Sequence, residues 1–430
     1  MVAMRRDLGD GLVLRFASPA DAEEFVDFNA AVLGDDDAPV ALIADWTRDL
    51  FDLPHPTFRI DDVTVVEDTA TGRIMSALFL IAQVWSYAGV PTAVGQPELI
   101  GTHPDYRRRG LVRAQFDVIH ERSAASGHLW QYIGGIPWYY RQFGYSYALD
   151  LPPQPVWMLS GPDIPVSGYT LRPATVDDVA FLARVEAAAL NAPILSGLRG
   201  PGGWELELRR RPGALPAHVV NIVEHEATPI GYLVHDHHPS RGDLLSVRAA
   251  ELLPGLSWLD PTAAMLAHLR DWVGHEPGGR GVRFALPYDH PALRSASTRL
   301  GRGPGGPYGL YVRVPDIVAF LRAVSTVLDT RVAASAVEGF SGAASVDLYT
   351  ESLRLTFNSG RLTSIELGPT SVCESDVSLP ADAFVQLILG NRRLDELERT
   401  MADCFINTDL GGALLDALFP PLQLYSWEMG

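Results

Sequence analysis

A short pattern recurs 157 residues along this 430-residue chain, and it constrains the fold more than any single motif. Leu14-Arg15-Phe16-Ala17-Ser18 precedes an acidic stretch of helical period, Asp21 to Ala31. Leu171-Arg172-Pro173-Ala174-Thr175 precedes another, Asp177 to Ala189. In both, a short strand ends on a Ser or Thr suited to cap the helix behind it. The offset is about the length of one domain, so residues 1–152 and 153–310 read as two copies of one mixed α/β unit.

In the first copy, runs at Val63 to Glu67 and Ile74 to Tyr87 flank Thr71-Gly72 and read as a hairpin. A further strand, Gly95 to Thr102, leads through an arginine-rich turn into a helix, Leu111 to Ser126. The second copy shows strands at Val219 to Glu224 and Ile230 to His235, then a helix at Pro261 to Val273. Pro-Gly-rich stretches at Leu151 to Gly168 and Arg302 to Pro307 read as linkers or long loops. From about Tyr311 the texture changes. A helix, Asp316 to Leu328, precedes strands Ala344 to Tyr349, Leu353 to Asn358 and Thr363 to Leu367. Helices follow at Ala381 to Leu389, Leu394 to Arg399 and Gly412 to Leu418, so residues 311–430 form an α+β domain of their own.

Composition narrows the function classes. With 52 acidic and 34 basic residues the net charge is −18, which argues against a general nucleic-acid binder and favours cationic partners or simple solubility. Every basic residue among those 34 is Arg, so the chain offers no lysine ε-amine of its own to an acylating agent. The longest apolar stretch, Ala77 to Val90, holds Gln83, Ser86 and Gly89 and is too short to span a bilayer. Met1 to Asp10 lacks a signal-peptide pattern, and Cys373 and Cys404 are too few for a disulfide framework, so the expected setting is the cytoplasm.

The segment Glu98 to Arg113 carries the chemistry. A strand ends at Thr102, a turn follows, and a helix opens at Gly110. Free backbone N–H groups and the positive end of the helix dipole then converge with Arg107, Arg108 and Arg109, an arrangement suited to a pyrophosphate. Gly110 permits close approach to the backbone. Asp27, Asp35, Asp36, Asp37 and Trp46 form an acidic and aromatic patch that suits a cationic amine or is a solvated loop. His235-Asp236-His237-His238 ends in Pro239-Ser240 and reads as a surface turn, with no metal expected.

Arg107-x-x-Gly110 between strand and helix resembles the acetyl-CoA loop of the GNAT acetyltransferases. Trp138-Tyr139-Tyr140-Arg141-Gln142-Phe143-Gly144-Tyr145 resembles their second signature, an aromatic turn. Val112 stands where a Gly or Ala is usual, a departure that one branch of the family tolerates. The whole chain is similar to that branch, the enhanced intracellular survival (Eis) acetyltransferases. The resemblance implies tandem GNAT-like mixed-sheet domains, the second degenerate, followed by a sterol-carrier-like α+β domain, in a homo-oligomer that is usually a hexamer.

It also implies an acetyl-CoA co-substrate and a primary amine acceptor, such as an aminoglycoside, a polyamine or a lysine-like group. The pyrophosphate would sit on Arg108, Arg109, Gly110, Leu111, Val112 and Arg113. The pantetheine would pair with Ile100, Gly101 and Thr102, with a further contact at Gly135 and Ile136. Tyr140 matches the tyrosine that protonates the leaving thiolate, with Tyr139 as its competitor. In the relatives the terminal carboxylate is the base, which here is Gly430. Glu98 and Glu428 compete for that role, because this chain ends in Met429-Gly430 rather than close to an aromatic residue. Neither cysteine lies near the motifs, so direct attack in a ternary complex is expected. A rival reading keeps the scaffold without catalysis, as a CoA-binding regulator or a lipid-binding module whose tunnel Phe384, Leu387 and Ile388 would line.

Overall fold

The two repeated caps form as the sequence dictates. Ser18 and Thr175 adopt extended backbone angles, and each closes a capping box with the acid three residues on, Asp21 and Asp178. The computed structural model describes residues 4–34, 40–151, 154–159, 168–190, 193–212, 217–239, 243–276, 278–303, 308–370 and 374–427.

The first unit supplies strands Arg5–Gly9 (β1), Leu12–Phe16 (β2), Val63–Asp68 (β3), Arg73–Tyr87 (β4), Val90–Thr102 (β5), Trp130–Ile133 (β6) and Ser146–Leu151 (β7). Helices Ala22–Leu33 (α1), Val40–Asp52 (α2) and Leu111–Ala125 (α3) cover it. β4 is buried along almost its whole length, as a strand covered on both faces must be, which explains its nearly continuous apolar sequence.

The second unit supplies Val156–Trp157 (β8), Tyr169–Pro173 (β9), Ile194–Gly197 (β10), His218–His225 (β11), Thr228–Asp236 (β12), Leu244–Leu252 (β13) and Gly281–Phe284 (β14). Its helices are Val179–Ala189 (α4), Gly200–Arg209 (α5), Leu259–His275 (α6) and Pro291–Ser295 (α7). Tyr308–Arg313 (β15) follows.

One strand crosses between the units. β8 pairs with β14 at the edge of the second sheet, whose order is β8-β14-β13-β12-β11-β9. β15 returns from beyond the second unit and inserts between β6 and β7, giving the order β1-β2-β3-β4-β5-β6-β15-β7. The boundary expected at 310 therefore runs through a strand of the first sheet. The boundary expected at 152–153 lies outside the described residues.

The remaining elements are Ile317–Ala323 (α8), Ser325–Ala333 (α9), Gly342–Asp347 (β16), Ser352–Asn358 (β17), Arg361–Gly368 (β18), Val377–Ser378 (β19), Ala381–Ile388 (α10), Leu394–Thr400 (α11), Phe405–Ile406 (β20), Asp409–Leu418 (α12) and Gln423–Tyr425 (β21). The helix expected over 316–328 is two helices, broken at Val324, a fully buried β-branched residue at φ −99° and ψ 8°. A five-stranded sheet, β18-β17-β16-β19-β20, lies beneath these helices. Its core is continuous with the first unit's: Tyr87, Trp130 and Tyr132 share one cluster with Phe320, Phe384 and Leu387. Tyr87 ties the two together, donating to the Ile388 carbonyl at 2.7 Å and accepting from Arg331 Nη1 at 3.1 Å. Phe384, Leu387 and Ile388, the residues expected to line a lipid tunnel, are fully buried in this packed core. No described helix is long and apolar enough to cross a membrane.

Candidate active site

β4 and β5 pair in register from Tyr87↔Val90 to Phe79↔Glu98, and then the register shifts, so that Leu99 and Ile100 face one residue of β4. This is a bulge, and Leu99 pays for it with a left-handed backbone at φ 47°. β5 meets β6 only at Val94↔Trp130 and Gly95↔Gln131. Beyond Gly95 the two parallel strands diverge, which leaves the edge of β5 without a neighbouring strand and opens a wedge in the sheet. Gly101 lets α1 approach: a Cβ there would come within 3.0 Å of Val32.

The arginine turn closes one end of the wedge. Arg108 and Gly110 are both left-handed, at φ 64° and 76°, and Gly110 caps α3. The first helical bond is donated by Ala114 N to Gly110 O, so the amides before it point out of the helix. Arg107, Arg108 and Arg109 are exposed. Arg107 Nε bonds the Thr102 carbonyl at 3.2 Å, Arg109 lies over the Tyr106 ring, and Arg113 bonds Gln142. Buried Gln115 fixes α3 to the sheet by accepting from Ser76 and donating to the Thr64 carbonyl.

The aromatic turn forms the other wall. Tyr140 is nearly buried, edge-on to Tyr311 at 5.5 Å and to Tyr139 at 5.1 Å. Gly135, beside the Tyr140 ring, holds φ 129°, a backbone conformation that residues with a side chain rarely adopt. Among the described residues the Tyr140 hydroxyl has no hydrogen-bond partner. Burial, and next the charge of Glu98, push the phenol above its ordinary range, so it stays protonated.

Ile100, Gly101, Thr102, Arg107 to Arg113, Ile136, Tyr139 and Tyr140 line one cleft of about 630 Å3, joined by Val32, Leu33, Tyr106, Gln142 and Phe143. The structure thus brings together most of the residues read as a cofactor site. Gly135 stands apart, its N–H donating to the Tyr308 hydroxyl at 2.6 Å. Glu98, two residues before Ile100 on β5, is half-buried and is not in the cleft lining; burial raises its carboxyl above the usual range while the Leu99 amide and Gln96 hold it down. Asp27 is exposed on α1, and Trp46 packs against the Phe25 cluster, so neither lines the cleft. Asp35, Asp36, Asp37, Glu428 and Gly430 lie outside the described residues.

Among the described residues the corresponding strands of the second unit stay together for longer. β13 and β14 stay paired from Leu244↔Gly281 to Val247↔Phe284, and the Ala285 amide extends the pairing to Val247 O. Beyond that point the Ala250 amide donates to the Tyr425 hydroxyl at 3.2 Å, so the chain's last strand caps an amide of the β13 edge. β21 itself pairs with β10, which pairs with β4. Next to it, Arg199 Nη1 donates to the Trp427 carbonyl at 2.8 Å with the guanidinium over the indole.

The histidine run behaves differently from a surface turn. His235 is fully buried, hydrogen-bonded to Asn221 and the Asp236 carbonyl, while His238 pairs with Glu276. Among the described residues no three His, Cys, Asp or Glu side chains converge to hold a metal.

Sequence reading missed the buried polar row Gln83, Gln96 and Tyr132 behind Glu98, and the buried cluster Glu186, Arg199, Glu207 and Arg210. Gln83 inside the apolar run of β4 was the available signal for the first; the second has none, since Arg210 lies within Arg209-Arg210-Arg211.

Residues 13–148 match the family described as acetyltransferase (GNAT) domain. No curated protein matches the sequence. A GCN5-related N-acetyltransferase from Kribbella flavida shares the fold with a TM-score of 0.64 at 17% identity, over 97% of this chain and 98% of that one. A conserved protein of unknown function from Enterococcus faecalis, a probable N-acyltransferase, superposes with a TM-score of 0.70 at 12% identity, over 97% and 100%. Eis1 from Mycobacterium abscessus gives 0.61 at 17%, over 96% and 98%. The first unit therefore matches the acetyltransferase (GNAT) domain family over residues 13–148, and the whole chain shares its fold with these solved proteins.

Proposed function

We propose that the chain transfers an acetyl group from acetyl-CoA to a primary amine by direct attack in a ternary complex. The observation that carries this reading is the wedge between β5 and β6, with the arginine turn at one end and the Tyr140 hydroxyl, unpartnered among the described residues, in its wall. The residues fit the co-substrate: the bulged edge of β5 offers backbone groups to an extended amide chain, and the left-handed turn at Arg108 and Gly110 offers helix N–H groups and positive charge to a pyrophosphate.

Acetyl-CoA would supply an activated acyl carbonyl and a thiolate leaving group. Tyr140, held neutral by burial and by Glu98, donates the proton that the departing sulfur requires. Glu98, its affinity for a proton raised by burial, takes one from the incoming ammonium so that the amine can attack. The Gly430 carboxylate is the alternative base. Release of thiol from acetyl-CoA against a panel of amines, including an aminoglycoside and a polyamine, tests the reading. Amine-dependent release supports it. Acetyl-CoA binding with no release under any amine points instead to a CoA-binding regulator.

A further inference from the structure

Behind Glu98 lies a row of buried amides with fixed direction. Val94, Gln96 and Glu98 alternate onto the sheet face that carries Phe79 and Ile81, because Glu98 pairs with Phe79 and Gln96 with Ile81. Gln83, Gln96 and Tyr132 are each at most 2% exposed. The Gln96 Oε1 accepts from Gln83 Nε2 at 2.9 Å and from the Tyr132 hydroxyl at 2.9 Å. Its Nε2 donates to Glu98 Oε2 at 3.0 Å. With two donors converging on its oxygen, the amide has one favourable orientation, and that orientation turns an N–H toward the carboxylate.

We propose that Gln96 is a positioning residue that holds Glu98 ionised and aimed for proton acceptance. This rests on the reading of Glu98 as the base. A neutral carboxylic acid at Glu98 would accept from Gln96 Nε2 more weakly than the carboxylate does. Turning the amide over so that it accepts from the acid's O–H instead would cost the hydrogen bonds from Gln83 and Tyr132. Among the described residues the groups near Glu98 are few: the Leu99 amide, which donates to it, Phe79, its register partner on β4, and the Tyr140 phenol, which its charge reaches. Among the described residues no arginine offsets its burial and no second carboxylate adds to it. The direction of the Gln96 amide is therefore the main adjustable influence on its charge.

The test is the pH profile of kcat/KM for amine-dependent thiol release. Gln96→Met keeps the side chain's length and removes the donor. It should lower the rate near neutrality by roughly tenfold and move the acid limb upward by about one pH unit. Tyr132→Phe keeps the core packing and loosens only the amide's orientation, so it should move the limb the same way by less. A loss of equal size at every pH, with the limb unmoved in both variants, overturns the proposal. Glu98→Gln separates the two readings. If it abolishes the limb while the Gln96 and Tyr132 variants leave the limb in place, Gln96 alone is excluded. If Glu98→Gln keeps the wild-type profile, the base assignment falls and the proposal with it.

Discussion

Arg15 and Arg172, 157 residues apart, make the same set of ion pairs in the two units. Arg15 forks onto Asp21 at 2.9 and 2.7 Å and reaches Glu67 at 2.7 Å. Arg172 forks onto Asp178 at 2.8 Å and reaches Glu224 at 2.9 Å. Each arginine thus staples a strand to the capping box of the next helix and to a neighbouring strand. The repeat legible in sequence is a repeated structural device.

The two staples differ in exposure, which is 19% for the Arg15 side chain and 38% for Arg172. Salt-screened solvent weakens the more exposed one. Arg15→Ala is expected to cost about 1–2 kcal/mol and Arg172→Ala under about 1 kcal/mol. Urea melts of both variants check the order.

Binding of acetyl-CoA is expected at one site per chain. The second unit keeps β13 and β14 paired through Val247 and commits the Ala250 amide to Tyr425. Calorimetric titration reads the stoichiometry directly, and a value near two would show that the second unit also binds.

Arg199 fastens the end of the chain. It is buried beside Glu186 and Glu207, and it holds the Trp427 carbonyl and ring. Arg199→Ala removes the positive charge beside buried Glu186, leaving it only backbone N–H groups and the Trp204 indole N–H, and is expected to destabilise the protein by about 3–5 kcal/mol. Denaturant melts with tryptophan fluorescence report both the stability and the environment of Trp427.

Acid should weaken the fold before the carboxylates titrate. Burial lowers His128 and His235 from 6.5 to about 4, so both are neutral in the folded protein at neutral pH. Below pH 6.5 the unfolded chain takes up protons that the folded one refuses, and stability falls as pH drops from 6.5 through 4. Melting temperatures measured across that window should decline, and His235→Asn should flatten the decline.

What the sequence made legible is local. The arginine turn, the aromatic turn and the two caps each lie within a few residues, where spacing fixes geometry. The strand crossing is not local: β15 is separated from β6 and β7 by the whole second unit, and nothing in Tyr308–Arg313 names its partners. Gln96 escaped notice because a glutamine in a strand has no signature until its neighbours are known. Asp27, acidic and near the first unit's aspartate run, sits exposed on α1 outside the cleft lining. His235 looked like a turn because of the proline that follows, and pairing with β11 and β13 buried it instead.

The central claim is that the first unit's wedge is a catalytic site in which Tyr140 supplies a proton. Tyr140→Phe removes one oxygen and leaves the ring packing against Tyr311 and Phe116. Steady-state thiol release should show kcat reduced by roughly 10²-fold with the KM for acetyl-CoA little changed. Unchanged kcat would contradict the account and remove Tyr140 from the chemistry.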